Sequence, residues 1–466
     1  MATSSPDPAR ILACQVLYQV LEEGAFSNEA LDQGLQTSNL GSQDRSFATA
    51  LVYGCLGRVR ALDKLLAMHS ARPLDKIEGR VLTILRMGLW QILYAYSVPA
   101  FAAVDESVKL CQFFGMNRAK GFVNAILRKI DPDKIQWKKK DQGLALGLGN
   151  ELFGLFRTWY GEETALDLGN YFLSSDFPLT VRVNPRKSSP ERLTAKLGQE
   201  GYQVSPGLYL DSALRLDVGS CRLDQLPSFQ AGHFMVQSEP AQMVGALSGA
   251  EEARSILDLC AAPGGKTCDL AERSQPGTFV LGLDLLADRL ETARINAQRL
   301  GLPLHFWQGD ATDPHLGQRI QEAFPDFPGQ ADLILLDVPC SGLGLLARKP
   351  ELRLRVGYED LKRFPPLQMA MLMNAHRLCR PGGRVIYSTC TLNPAENQDL
   401  VQAFLASEAG QDFSLEDLRG RLPERLAQVL VQDPPSQALL DQGFLLFRPD
   451  LTQTDGFFLC LLRKKG

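Results

Sequence analysis

From residue 255 onward the sequence follows an alternation that few folds can satisfy. Short apolar runs at 256–259, 279–284, 304–307, 333–337 and 385–388 are separated by stretches of helical periodicity. Strands and helices in strict alternation predict a doubly wound, mostly parallel α/β sheet. In such a sheet ligands bind beyond the carboxyl ends of the strands, near the point where the strand order reverses. The residues that close each run are therefore where chemistry should be sought. Two more apolar runs, 444–447 and 457–462, predict a closing pair of strands.

The upstream half is built differently. Ala13, Val16, Leu17, Val20 and Leu21 recur at helical spacing, and apolar runs follow at 47–56, 81–94, 104–114 and 121–130 without strand-like alternation. Pro99 biases Val98 away from helix and ends the 81–94 run. Residues 8–130 thus predict an all-α domain. The charged stretch 132–140 reads as a linker, with Lys138, Lys139 and Lys140 on a solvated face. Residues 151–175 return to helix. In FPLTVRVNP (177–185), Leu179, Val181 and Val183 alternate with polar residues, as in a half-buried strand. Ser189 and Pro190 then make an N-cap and first helical position. Further short strands before Gln230 complete a small α+β module. The expected division is 1–140, 141–235 and 236–466.

Composition sets limits rather than choices. With 45% hydrophobic and 22% charged residues over 466 positions, the chain suits several globular domains. A net charge of −4 argues against a basic surface spread over the whole molecule, though not against a local one. No signal peptide opens the sequence and no run approaches the roughly 18 apolar residues of a membrane span. A cytoplasmic, reducing setting, a monomer and no membrane partner are expected. The ten cysteines (Cys14, Cys55, Cys111, Cys221, Cys260, Cys268, Cys340, Cys379, Cys390, Cys460) form no C-x-x-C pair, and the five histidines form no H-x-x-x-H pair. No metal site is expected.

The strongest local signal is DLCAAPGGKT at 258–267. A strand ends in a glycine turn and opens a helix. Gly264 and Gly265 let backbone approach a ligand, and the helix start offers free N–H groups. A dinucleotide fingerprint would need G-x-G-x-x-G, which is missing. Gly265-Lys266-Thr267 matches the end of a P-loop, but Cys260 stands where its first glycine belongs. The remaining candidate is a nucleoside-type cofactor such as S-adenosylmethionine. Asp284, Asp310 and Asp337 close the next three runs. Asp284 is placed for ribose hydroxyls and Asp310 for an adenine amino group. Such a row repels triphosphate but suits an uncharged nucleoside carrying a sulfonium; the alternative is a set of turn and cap aspartates. Two cysteine loops complete the edge: DVPCSGLG (337–344), with Cys340, and YSTCTLNPAEN (387–397), with Cys390.

Together these three motifs resemble the RNA cytosine-5 methyltransferase family. The helical N-terminus, through LVYGCLG (51–57), Ala102-Val104-Asp105-Glu106 and FVNAILR (122–128), resembles the NusB-like RNA-binding domain. The combination is similar to the bacterial branch acting on small-subunit (16S) ribosomal RNA. The resemblance implies a Rossmann-like class I methyltransferase domain preceded by an RRM- or ferredoxin-like module. It implies Cys390 as the thiolate attacking a cytosine, Cys340 as the group assisting release, Asp337 at the N3 edge and Lys266 as electrostatic support. It implies an S-adenosylmethionine pocket of Cys260, Ala261, Ala262, Pro263, Gly264, Gly265, Lys266, Asp284, Arg289, Asp310 and Asp337; as a first-turn helix residue Arg289 either pairs with a carboxylate or faces solvent. The RNA partner would be 16S rRNA, naked or in an assembly intermediate. Arg182, Arg186, Lys187, Arg348, Lys349, Arg353 and Arg355 are candidates to line its path. Two positions depart from the family pattern: Val338, usually Ala, and Ser238, often Asp. A transfer RNA substrate, an NAD-dependent oxidoreductase and a non-catalytic RNA-binding scaffold are the competing readings.

Overall fold

A computed structural model describes residues 5–174, 178–217 and 223–466. Phe177, the expected start of the first strand, and Cys221 lie outside the described residues. The described residues divide into two compact units: 5–174 with Leu346–Gly357, and the remainder.

The first unit is helical. Asp7 accepts the N–H of Arg10 and Pro8 takes the first position, so helix Pro8–Glu22 starts with its orphan donors partly satisfied. Ser27–Thr37, Ser42–Leu56, Val59–His69, Gly79–Tyr94, Ala100–Phe113 and Lys120–Leu127 follow. The residues at helical spacing meet in one core, where Leu17, Leu51, Leu62, Leu85, Leu110 and Val123 are buried. Each such side chain contributes about 1.5–3 kcal/mol. Helices Gly149–Tyr160 and Glu162–Leu173 group with this unit. The expected middle segment is thus divided, its first helices with the first unit and its strands, with helix Pro190–Gln199, in the second.

Leu346–Gly357 joins the first unit from far along the chain and changes the reading of three basic residues. Glu351, 1% exposed, accepts the N–H and Oγ–H of Ser27 at 3.1 and 2.7 Å. Arg353, also 1% exposed, donates to the carbonyls of Gly57 at 2.8 Å, Leu346 at 3.1 Å and Phe172. Arg355 donates to the carbonyls of Val20 and Ala25. Lys349 sits 5.5 Å from the ring centre of Phe26. Arg353 and Arg355 were expected along an RNA path. Their guanidiniums instead satisfy backbone carbonyls, and burial pulls Arg353 down to about 9. The fit is close: a Cβ on Gly147, whose φ is +70°, would stand 2.7 Å from Arg353 Nη1.

The second unit holds both sheets. Strands β1 (Leu179–Val183), β2 (Gln203–Pro206), β3 (Ala213–Asp217) and β4 (Phe234–Val236) form an antiparallel sheet in the order β2-β3-β1-β4. Ser189 caps helix Pro190–Gln199 as its sequence predicts. Then come β5 (Ser255–Asp258), β6 (Phe279–Asp284), β7 (His305–Gln308), β8 (Ala331–Asp337), β9 (Cys379–Thr389), β10 (Phe413–Leu415), β11 (Phe444–Phe447) and β12 (Phe457–Lys464). They take the order β10-β12-β9-β8-β5-β6-β7, with β11 on β12. The run from β7 to β9 is parallel, as expected; β10, β11 and β12 add antiparallel pairings at the other edge. The order reverses between β5 and β8, which places the switch point at Asp258 and Asp337. β10 was not foreseen, being too short to show alternation. β9 starts earlier than its apolar run because Arg-Pro-Gly-Gly (380–383) bulges from the strand between two paired stretches.

Arg182 also leaves the expected RNA path, while Arg186 and Lys187 stay exposed but engage backbone carbonyls. Arg182, 1% exposed, pairs with Glu272 at 3.0 Å and Asp269 at 3.5 Å and donates to the carbonyls of Gly265, at 2.9 Å, and of the Gln237 side chain. Arg186 donates to the carbonyls of Ala271, Glu272 and Ser274, capping the end of helix Gly265–Arg273. Lys187 donates to the carbonyls of Ala231 and Arg299. Arg182 and Arg186 thus bind the small sheet to the helix that follows the glycine turn, and Lys187 to the end of helix Ala287–Leu300. Among the described residues no helix is long and apolar enough to cross a membrane.

Arg353→Ala should destabilise the protein by about 3 kcal/mol, since it strands buried carbonyls and leaves a void. Urea denaturation of the full chain followed by circular dichroism measures this; an unchanged midpoint would show that the docked segment contributes nothing.

Candidate active site

The turn after β5 is tied down from within. Asp258, 1% exposed, accepts Thr267 Oγ1–H at 2.6 Å and the Cys260 N–H at 3.2 Å. Burial lifts its acid to about 7 against these hydrogen bonds. Gly264 has φ +97°, and a Cβ there would lie 2.9 Å from Cβ of Ala293 on the next helix. Gly265, in contrast, faces open space, with only Met235 Cε at 3.9 Å from an added Cβ. At the end of β6, Asp284 accepts the N–H groups of Ala262 at 3.2 Å and Leu286 at 3.1 Å, one on each oxygen. Leu285 and Leu286 beside it are more than half exposed. Of its two expected roles Arg289 takes the solvent-facing one: it is exposed and donates to the Ala262 carbonyl at 3.1 Å, which props the same turn. Asp310 is exposed, and its Oδ1 accepts from Thr312 N–H at 2.8 Å and Oγ1–H at 2.7 Å in a local turn. Cys260 packs 3.9 Å from Met371 Sδ, and burial, followed by the charges of Asp258, Asp337 and Asp284, holds its thiol well above the ordinary range.

The two cysteine loops leave neighbouring strands side by side. β8 and β9 pair with Asp337 opposite Ser388. Beyond that pair, Cys340 Sγ and Cys390 Sγ stand 3.2 Å apart, both half-buried. The Cys340 thiol is held well above its ordinary range by the hydrogen bond with Cys390, then by burial. Asp337 accepts Lys266 Nζ at 2.7 Å on one oxygen and Ser388 Oγ–H at 2.8 Å on the other. Burial alone would pull the Lys266 ammonium down. The charge and hydrogen bond of Asp337, with a smaller contribution from Cys390, outweigh it and keep Lys266 above its ordinary value. Gly344 brings the first loop against the second: its N–H donates to the Cys390 carbonyl at 3.0 Å, and a Cβ would come within 2.8 Å of that oxygen. Val338 is buried and its N–H donates to Ser388, so that departure from the pattern leaves the strand ends joined. Ser238 precedes helix Glu239–Ser248 without a side-chain cap, while its neighbour Gln237 is held by Arg182.

Residues 245–463 match a family model described as 16S rRNA methyltransferase RsmB/F, and residues 7–132 match the NusB family. A Synechocystis protein named "Probable ribosomal RNA small subunit methyltransferase B" is 33% identical, over 98% of this chain and 99% of its own length. The ribosomal RNA small subunit methyltransferase B of Vibrio cholerae is 30% identical, over 98% and 97%. The chain belongs to the ribosomal RNA small subunit methyltransferase B family. It is an S-adenosylmethionine-dependent RNA methyltransferase. The crystal structure of PH0851 shares the fold over 99% of this chain and 100% of its own, with a TM-score of 0.79 at 21% identity. A methyltransferase homologue from Pyrococcus horikoshii matches 71% of this chain and all of its own at TM-score 0.56 and 24% identity.

The turn fits the cofactor of this family. Gly265 leaves room above the helix start, the Asp284 carboxylate retains acceptor capacity beyond its two backbone partners, and Leu285 and Leu286 expose apolar surface beside it. An acceptor carboxylate beside apolar surface suits ribose hydroxyls and an aromatic base. Sequence reasoning overlooked the work of Glu396 and Asn397. Both are fully buried; Asn397 accepts Thr389 Oγ1–H at 2.6 Å and donates to the Thr391 carbonyl at 2.9 Å, fixing the loop that carries Cys390. The P-A-E-N run was visible, but not what its side chains would meet.

Asp284→Ala should weaken S-adenosylmethionine binding by about 1–3 kcal/mol, the scale of lost charged hydrogen bonds. Calorimetry with unchanged affinity would move the ribose contact elsewhere.

Asp258 gives a pH-dependent signature. Because its folded acid is raised to about 7, the native state holds a proton that the unfolded chain loses near pH 4. Wild-type stability should therefore fall, relative to Asp258→Asn, by a few kcal/mol as pH rises through that window. Urea midpoints of both proteins across the window test this, and parallel pH curves would refute it.

Proposed function

We propose that the enzyme transfers the methyl group of S-adenosylmethionine to C5 of a cytosine in 16S ribosomal RNA, through a covalent bond between Cys390 and C6. The observation that carries this reading is the contact of two thiols, 3.2 Å apart, beside the Lys266–Asp337 ion pair at the switch point. The names of the relatives support the ribosomal substrate, and the match to the NusB family supports an RNA partner.

Cytosine C5 is too weak a nucleophile to take a methyl group unaided. When the Cys390 thiolate adds to C6, the electron pair of the C5–C6 double bond moves toward C5 and N3 and makes C5 enamine-like. Bound S-adenosylmethionine supplies an electrophilic methyl on its sulfonium. Asp337, sharing a proton with Lys266, meets the N3 edge of the base and passes that proton to N3 as charge gathers there, while Lys266 favours the Cys390 thiolate. After the C5–methyl bond has formed, Cys340, its own proton passed to solvent, takes the C5 proton; the C5–H electron pair restores the C5–C6 double bond, the C6–S bond breaks with its pair on Cys390, and N3 gives back any proton it accepted. Cys340, at contact distance from the departing sulfur, assists that elimination. A thiol whose acid form is held high makes, once ionised, a strong proton acceptor. The target base must be unstacked to reach this edge.

The two cysteines separate cleanly in experiment. Cys340→Ala should add to C6, transfer methyl and stall, so that a protein–RNA adduct stable to denaturing electrophoresis accumulates only with S-adenosylmethionine. Cys390→Ala should yield neither adduct nor product, and the double variant should match Cys390→Ala. An adduct trapped by Cys390→Ala instead would exchange the roles. Bisulfite sequencing of RNA from cells lacking the protein should show a single methylcytosine lost from 16S rRNA.

A further inference from the structure

Glu396 is fully buried and accepts hydrogen bonds from four donors: Ser341 N–H at 2.9 Å, Ser341 Oγ–H at 2.5 Å, Asn393 Nδ2 at 2.9 Å and Gln368 Nε2 at 3.1 Å. None of these donors is a cation. A buried carboxylate answered only by neutral donors is costly to keep, and its position suggests what it does. Ser341 directly follows Cys340, and Asn393 lies on the Cys390 loop. Gln368 also donates to the carbonyl of Pro339, the residue before Cys340, at 2.9 Å. Ser341 Oγ in turn meets Oγ1 of Thr391, the residue after Cys390, at 2.7 Å. The backbone carbonyl of Glu396 accepts Tyr387 O–H from β9 at 2.6 Å, which anchors the carboxylate to the sheet.

We propose that Glu396 is a positioning residue for methyl transfer: its carboxylate clasps the flanks of both cysteine loops and so holds the two sulfurs at contact distance. The proposal rests on Cys390 as nucleophile and Cys340 as release group. A neutral isostere cannot replace the clasp. Glutamine keeps one acceptor oxygen but turns an NH2 group toward a donor, and the Ser341 backbone N–H cannot rotate to accommodate it. The carboxylate also acts on Cys340 through its charge, one of the causes that hold that thiol up. A group serving packing alone would show no such electrostatic signature.

The test compares Glu396→Gln with wild type by steady-state kinetics, S-adenosylmethionine calorimetry and thermal melting. The expected result is a kcat loss of about tenfold to a hundredfold, with cofactor affinity and RNA KM within about twofold, because small displacements of reacting groups cost rate rather than binding. In a Cys340→Ala background the same change should slow adduct formation in proportion. In a Cys390→Ala background, iodoacetamide alkylation of Cys340 should reach its pH midpoint lower with Glu396→Gln than without it. A folded Glu396→Gln enzyme with wild-type kcat, or an unmoved alkylation midpoint, overturns the proposal. If Glu396→Gln does not fold, Ser341→Ala decides. It removes the hydroxyl shared by Glu396 and Thr391; a kcat loss of about threefold or more, with binding retained, supports the clasp, and wild-type kcat overturns it. Methyl transfer by Cys390→Ala would sink the nucleophile assignment instead, an outcome distinct from any result at Glu396.

Discussion

The parallel pairing of β8 with β9 sets Asp337 opposite Ser388, and the chemistry of the protein depends on that register. A slip of one residue would turn every side chain of one strand to the other face. Ser388 would then no longer donate to Asp337, and the loops carrying Cys340 and Cys390 would leave the sheet out of step. Because the pairing is parallel, both strands end at the same edge, and the loops must run side by side. The Gly344 N–H bond to the Cys390 carbonyl and the Ser341–Thr391 hydroxyl contact extend the same registration beyond the sheet.

Buried polar groups keep this arrangement unique. Asp258 holds the glycine turn through Thr267 and the Cys260 N–H, and Arg182 reaches from the small sheet to the carbonyl of Gly265 at the start of the following helix. Each is costly to bury, and each has partners in fixed directions, so a displaced loop would leave it unsatisfied. Arg353 does the same within the helical unit, where three backbone carbonyls receive one guanidinium. These groups contribute selectivity among packings more than net stability. This also explains why basic residues that suggested an RNA path are found among carbonyls and carboxylates: a guanidinium's fork of donors is as useful to orphan carbonyls as to phosphate.

Much of the fold was legible because its signals are local. Helical spacing around Leu17 and Val20, the Ser189-Pro190 start and the apolar runs closing on Asp258, Asp284 and Asp337 report periodicity and turn chemistry that a short window contains. The glycine turn and the two cysteine loops were legible for the same reason. β10 was not, since three residues show no alternation, and the early start of β9 was hidden by a Pro-Gly-Gly that reads as a turn but bulges within the strand. For Arg289, helical position tells where the side chain starts, not which oxygen it reaches.

The sequence by itself determined the alternation that makes a doubly wound sheet, the strand ends where ligands gather, and the residue types waiting there. Those follow from short-range sterics and hydrophobic periodicity, which each segment carries alone. Only the tertiary structure decided that β8 lies beside both β5 and β9, that Lys266 from one loop meets Asp337 from another, that Cys340 and Cys390 touch, and that Glu396 lies between their loops. These are contacts between segments tens of residues apart. Their distances are set by strand order, register and the satisfaction of buried donors, quantities that no single segment contains.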